Sequence, residues 1–518
     1  MIPRLSRAPR GIAVTGAILL VALAVRCWDL NARSLWFDEA GEYWVATAPF
    51  PALAQAVRTG TGDPPLYSFL LHAWLAAGSS ALWIRTLSVI ASLAGVAGVM
   101  ALAHRLAGRR AALAAGILMA VLPADVRYAQ EAGQYALMMA AVAWNLVALH
   151  RLWTAPSSRA GVLWATTALA ASCAYYGAVI AIAIPFACAA VEALARRDRV
   201  RMRAGLAGFV VYAAGVVPLV LFFLTEQMAR VAATDVSSAG PLPRDAMSAI
   251  TTGLSQVIAF QFTGWPYTRV PALIPIGAAL LLLGLAARTQ RRALAWLAAT
   301  WVVHALADVA GVFPYGFRWG LILAPLLVAS LACGLAAAPT GWRRNVVSAA
   351  VAILALASLV SLPNRSLRDA LYRDAAWPWP ETEDMRAVLA HWRTNRTDNE
   401  PTYVYYGAVP AFAYYTRDEA WAGDLRAAWF LDCWHRGGAG CSGAGVHFGR
   451  WLRDMNDTQR VADVFRSFDG RPASFWIVFS HIQRNDDRDL VANLVANGYR
   501  IESAYQSTGA AIFFMTRT

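Results

Sequence analysis

Two adjacent carboxylates, Asp38 and Glu39, lie just past the first apolar stretch of the chain in the run SLWFDEAGEYW, with Glu42 one turn further on. At the water edge of a membrane such a pair can take a proton from a hydroxyl, which is general-base work, or hold a divalent cation through oxygen ligands. Trp36, Phe37, Tyr43 and Trp44 flank it and suit the headgroup level, where an apolar ring with a polar edge is comfortable. A solvated acidic loop would carry the same residues, so the pair gains meaning only from what else reaches its level.

Several chemically capable residues do. Asp63 precedes Pro64-Pro65 in GDPPLYSFLLHAW, where the prolines stop one element and start a helix. Glu131 lies in DVRYAQEAGQYAL, and Tyr315, Arg318 and Trp319 lie in FPYGFRW. His304 and Asp308, spaced i and i+4 on one helix, sit just inside the same edge. Ionisable groups at membrane depth are expensive, which argues for function; a polar contact between two helices is the alternative for this last pair.

The elements that must position these groups follow from composition. The chain of 518 residues is 58% hydrophobic, with mean hydropathy +0.44, and all 45 basic residues are arginine. Apolar runs recur at 11–27, 82–103, 135–149, 206–224, 271–287, 293–312, 321–338 and 346–362. A shorter run spans 111–122, and 161–194 is long enough for two spans. With roughly 20 apolar residues per span, this predicts about eleven transmembrane helices. Arginine clusters at 4–10, 105–110, 196–203, 288–292 and 343–344 occupy alternate loops and are therefore cytoplasmic. The opposite loops, 28–65, 125–134, 225–269, 313–319 and everything after Pro363, are then extracytoplasmic. The net charge of +13 is thus explained by topology. A nucleic-acid surface would instead gather its basic residues with aromatics on one soluble face. The N-terminal arginines and apolar run resemble a signal peptide but lack a small-residue cleavage site, so the run is expected to be an uncleaved first span.

Character changes near Pro363: thirteen of the 32 acidic residues precede it and nineteen follow. Residues 383–393 are amphipathic, with Met385, Val388, Leu389 and Trp392 on one face. Residues 402–406, 474–480 and 510–515 are expected to be strands, and 486–497 a helix. The fold class expected is a multi-span α-helical membrane domain, 1–362, whose first outer loop 28–65 carries the acidic pair, followed by an extracytoplasmic α/β domain, 363–518. Of six cysteines, Cys27, Cys173, Cys188 and Cys333 fall in or beside spans as small apolar residues. Cys433 and Cys441 flank the glycine-rich CWHRGGAGC in the outer domain, where disulfides persist. A disulfide is expected there in preference to a zinc site with His435 and His447.

In order and spacing, SLWFDEA, DPPLYSFLLHAW, HRLAGRR and VRYAQEAGQYAL resemble the first third of the GT-C glycosyltransferases of the protein O-mannosyltransferase and aminoarabinose lipid A transferase type. The specific motifs lie within 33–137, plus the weaker YGFRW. The resemblance implies an enzyme of the inner membrane that moves a hexosyl or pentosyl group from a polyprenyl-phosphate donor to an extracytoplasmic acceptor. It places the base at Asp38, assisted by Glu39, and substrate contacts at Asp63, Tyr67, Arg127, Gln130, Glu131, Tyr135, Tyr315 and Arg318. The chain departs from the family twice. Asp63 stands where Lys or His is common, and Gly133 stands where the family carries arginine. Both departures remove positive charge from where a phosphate would sit; Arg127, Arg318 or a divalent cation held by Asp38 and Glu39 are the candidates to replace it.

The physics agrees with the residues. An acceptor hydroxyl needs a base, and a lipid phosphate leaving group needs only cationic stabilisation. One base and one clamp suffice for an inverting displacement, whereas a glycosidase would want a second carboxylate as acid. No nucleotide-binding fingerprint is present. A transporter or flippase for a lipid-linked glycan is the rival, but it would be expected to show two matching halves. The topology is directly testable. A reporter active only in the cytoplasm should be silent when fused after Thr518, and an active fusion would put Asp38 and Glu39 on the wrong face.

Overall fold

The computed structural model describes residues 8–60, 64–234, 257–262, 273–313, 317–337, 341–361, 383–397, 400–419, 422, 442–443, 445–450, 455–482 and 485–518. Asp63, Tyr315, Cys433 and Cys441 lie outside these, and the expected disulfide with them. Contacts divide the chain into two units, Met1–Trp28, Val57–Tyr67 and Arg85–Asn364 in the first, and Asp29–Ala56, Ser68–Ile84 and Arg365–Thr518 in the second.

The helices, in chain order, are α1 (Ala8–Cys27), α2 (Phe37–Thr47), α3 (Phe50–Thr59), α4 (Pro65–Leu75), α5 (Ala81–Ala107), α6 (Arg109–Ala120), α7 (Pro123–Ala129), α8 (Gln134–Thr154), α9 (Ser158–Ala174), α10 (Ala178–Ala195), α11 (Arg199–Leu219) and α12 (Thr225–Thr234). They continue with α13 (Leu273–Ala286), α14 (Arg291–Val309), α15 (Ala324–Ala336), α16 (Trp342–Ser361), α17 (Met385–Asn395), α18 (Val409–Thr416), α19 (Asp457–Ser467) and α20 (Asp486–Ala496). Among the described residues, five helices are long and apolar enough to cross a membrane, and six if the bent pair α6–α7 counts as one span. Ile12–Cys27 and Leu273–Ala286 form apolar helices that are shorter, and the run 161–194 divides into α9 and α10.

Small residues let the helices of the first unit approach closely, as packing in lipid demands. A Cβ on Gly161 of α9 would lie 2.3 Å from the Ala204 carbonyl of α11, and one on Gly208 would lie 2.6 Å from the Gly161 carbonyl. Of the cysteines placed in spans, Cys333 is buried and Cys173 and Cys188 are partly so, but Cys27 is exposed, because it ends α1 rather than packing within it.

The break between α6 and α7 bends the chain by 59°. Pro123 cannot donate a backbone hydrogen bond, so carbonyls at the end of α6 lose their helical partners. Arg26 supplies the replacements from α1: its guanidinium donates to the Ala120 carbonyl at 3.0 Å and the Met119 carbonyl at 3.0 Å. It also donates to Ala22 O at 2.9 Å and Ser92 Oγ at 2.7 Å, and it pairs with Asp125 of α7. Ser92 donates in turn to Asp125 at 2.9 Å, and both charged groups are buried. Removing one partner of such a pair leaves a lone charge in a dry place. Asp125→Ala should therefore destabilise the helical unit by about 3–5 kcal/mol, read as a lower thermal midpoint in detergent. An unchanged midpoint would mean that the pair carries no such weight.

In the second unit a six-stranded mixed sheet has the order β2-β3-β1-β4-β6-β5, with β1 at Thr402–Val404, β2 at Ser442–Gly443, β3 at Val446–Phe448, β4 at Ser474–Ser480, β5 at Tyr499–Ser507 and β6 at Ala510–Arg517. Strands β3, β1 and β4 run parallel, and β6 pairs antiparallel with β4. Central β4 is buried along almost its whole length, as a strand covered on both faces must be. The apolar face expected on α17 is buried in full, through Met385, Val388, Leu389 and Trp392.

Candidate functional site

The acidic pair opens α2 in the second unit. Asp38 and Glu39 occupy the first helical turn, where free backbone N–H groups favour negative charge. Their surroundings differ sharply. Glu39 is 1% exposed, and its carboxylate accepts from the Trp36 N–H at 3.4 Å, closing the start of the helix. Asp38 is exposed. One carboxylate is thus buried in the protein and its neighbour lies at the solvent-exposed surface.

The aromatics around the pair pack on protein. The Phe37 ring stacks on His481 with centroids 4.3 Å apart, and the Trp44 indole N–H donates to the Pro410 carbonyl at 3.1 Å. Tyr43 meets Tyr414 edge-on at 4.9 Å, while Arg417 lies 4.2 Å from the centre of the Tyr414 ring. Burial pushes both phenols above their ordinary pKa, against the pull of Arg417. Tyr43 and Trp44 are almost wholly covered, so they anchor α2 to α18 and its surroundings.

A second cluster belongs to the first unit. Tyr128, on α7, lies within electrostatic reach of Arg127, Glu131, Arg318 and Tyr135, four of the residues singled out from sequence. Arg127 sits 5.1 Å from the centre of the Tyr128 ring, and Arg318 sits 5.8 Å from that of Tyr135 and 5.3 Å from that of Trp319. Tyr128 and Tyr135 are 4.8 Å apart, and the row continues through Tyr175 to Phe313 in steps of 5.8 Å. Buried His304 of α14 stands 5.5 Å from Phe313, one turn from buried Asp308. Arg127 and Arg318 thus lie against buried tyrosine rings, with the Glu131 carboxylate in the same cluster.

The remaining candidates divide between support and proximity. The Tyr67 hydroxyl is 2.9 Å from Ser88 Oγ, which donates to the Gly133 carbonyl at 3.4 Å, so Tyr67 reaches the turn where the family carries arginine. Gln130 is committed to structure: its amide donates to the Arg26 and Trp28 carbonyls at 3.1 and 2.7 Å. Among the described residues no group of three or more His, Cys, Asp or Glu side chains gathers as metal ligands would.

Sequence reasoning missed Arg26, Asp125, Glu383 and His481. An arginine inside the first apolar run and an aspartate just past the run 111–122 were a readable signal for the first pair. Nothing local marked the second.

Residues 62–222 match the family model described as dolichyl-phosphate-mannose-protein mannosyltransferase. Among solved structures, ArnT from Cupriavidus metallidurans in the apo state is similar with a TM-score of 0.57 at 14% identity, covering 97% of this chain and 98% of that one. The same enzyme bound to undecaprenyl phosphate gives a TM-score of 0.54 at 13% identity, covering 96% and 97%. No curated relative matches by sequence. The chain therefore shares the fold of the ArnT structure over nearly its whole length.

Gly133 has extended backbone, and among the described residues a Cβ there would meet only Glu131 Oε1, at 3.7 Å. Gly133→Ala should accordingly leave stability within about 0.5 kcal/mol of the parent. A large drop in thermal midpoint would show that the turn requires glycine.

Proposed function

We propose that this chain is a membrane glycosyltransferase that moves a sugar from a polyprenyl-phosphate donor to a hydroxyl outside the cytoplasm. The observation that carries the reading is the split acidic pair: a buried Glu39 in the first turn of α2, and beside it a solvent-exposed Asp38 that an acceptor hydroxyl can approach. The donor class is supported by the undecaprenyl phosphate bound in the ArnT structure of the same fold, and by the match of 62–222 to a mannosyltransferase family.

In this reading Asp38 accepts the acceptor proton as its oxygen bonds to the anomeric carbon. The bond from that carbon to the lipid phosphate oxygen breaks, and its electron pair leaves with polyprenyl phosphate. Displacement from the opposite side inverts the anomeric centre. Arg127 and Arg318 supply the positive charge that the departing phosphate needs, in place of the arginine absent at Gly133. Glu39 keeps Asp38 in register. Transfer of either a hexose or a pentose is compatible with these parts. The flippase reading has no support from either comparison.

Purified protein given a polyprenyl-phosphate sugar labelled in the sugar should pass label to an acceptor only when both are present. Movement of intact labelled lipid across a vesicle membrane, without bond cleavage, would favour the flippase. Arg318→Ala should raise the donor KM several-fold and lower turnover, since one charge-assisted contact to phosphate is worth about 1.5–3 kcal/mol. Unchanged kinetics would remove Arg318 from the clamp. Loss of transfer on chelation, restored by added cation, would assign part of the charge to a metal.

A further inference from the structure

Glu383 is the unexplained charge of the second unit. It is 1% exposed, lies just before α17, and plays no part in the chemistry above. Its carboxylate accepts from three groups: Ser480 Oγ at 2.8 Å, His481 Nδ1 at 2.8 Å and the backbone N–H of Phe37 at 3.1 Å. The last of these is the first residue of α2, immediately before Asp38. Phe37 also lays its ring on His481, 4.3 Å between centroids and 13° from parallel, with Tyr406 6.1 Å away.

The neighbouring carboxylate completes the attachment. Asp384 accepts from Ser34 Oγ at 3.3 Å and from Ser507 Oγ at 3.1 Å, and Arg386 donates to the Ala32 carbonyl at 2.5 Å. The Leu35 N–H donates to the Tyr415 hydroxyl at 2.6 Å. Residues 32–37 are thus held by hydrogen bonds from several separate elements.

The place of this attachment in the sheet is informative. Ser480 ends β4 and Tyr405 follows β1, and these parallel strands are paired side by side. Beyond them the chain turns at His481, in the left-handed region at φ 50°, and a Cβ on Gly407 would lie 2.7 Å from the Ser480 carbonyl. In open α/β sheets ligands bind in the crevice beyond the carboxyl ends of parallel strands. Here the chain's own residues Trp36 and Phe37 pack against that edge.

We infer that the α/β domain uses this crevice as an internal docking site that positions the Asp38 helix, with Glu383 and His481 as positioning residues. The inference rests on the reading of Asp38 as the base. Buried carboxylate, imidazole and ring stack together fix the first residue of α2 in place and direction, and Asp38 follows by one peptide bond. A base displaced by about 1 Å can lose on the order of a hundredfold in rate. The domain would therefore act on turnover without touching the donor.

The test combines kinetics with amide hydrogen exchange on the full-length protein in detergent. Glu383→Ala and His481→Ala should lower kcat at least about tenfold while the donor KM stays within about twofold. His481→Phe, which keeps a ring for Phe37 but loses the hydrogen bond, should recover part of the loss. Exchange at residues 36–40 should rise in the alanine variants while β4 stays protected, which separates undocking from unfolding. Unchanged exchange at 36–40 would overturn the docking. Raised exchange with parental kcat would overturn the positioning role. A fall carried by KM would point to donor binding instead and also overturn it. Asp38→Asn serves as the control for the underlying reading: if it retains transfer, the base assignment falls and positioning falls with it, whereas docking is still decided by exchange.

Discussion

A buried carboxylate must find partners, and in this protein that demand determines where the functional segments can lie. Glu383 meets it by capturing the start of α2, and the acidic helix is thereby fixed to the α/β domain rather than left as a loop. Asp125 meets it by capturing Arg26, whose remaining donors close the carbonyls that the α6–α7 break opens. In each case a charge that would cost several kcal/mol alone becomes a fixed point once it is paired or hydrogen-bonded. Gln130 extends the second network by holding the carbonyls of Arg26 and Trp28, at the end of α1.

Around these fixed points the chemistry separates into two kinds of surface. The acidic helix offers one exposed carboxylate beside a buried one, which suits proton transfer. The α7–α8 region and the turn at Arg318 offer cations over tyrosine rings, which suits phosphate on an apolar chain. A glycosyl transfer from a lipid phosphate asks for both and for little else, because the donor already carries the driving force. The loss of the family arginine at Gly133 is compatible with this, since Arg127 and Arg318 both lie within electrostatic reach of Tyr128, a few residues away on α7.

Much of this architecture was legible where local pattern and tertiary structure agree. The aromatic and β-branched run at 474–480 is β4 to the residue, and the apolar stripe of 383–393 is the buried face of α17. Strand β5 was missed because RIESAYQS reads as polar; it lies at the sheet edge with most of its side chains outward. Helix α19 carried an Asn456–Gln459 capping box that could have been read. The span count rests on apolarity alone, and among the described residues five helices, or six with the bent pair at 109–129, are both apolar and long enough, beside shorter apolar helices at 12–27 and 273–286. Asp38 and Glu39 were visible as a pair, but their division into exposed and buried was not, since it depends on partners such as His481 and Pro410 more than 300 residues away. Contacts at that separation leave no mark in a single sequence.

The central claim is that Asp38 supplies the base for sugar transfer, and single-turnover transfer by Asp38→Asn, with donor binding measured in parallel, tests it most directly. Asparagine keeps the size of the side chain and most of its hydrogen bonding but cannot take the proton. The rate should fall by about 10²–10⁴-fold with donor affinity and thermal midpoint unchanged. A variant that binds donor normally and transfers at more than about a tenth of the parental rate, against the loss expected for a general base, would contradict the account.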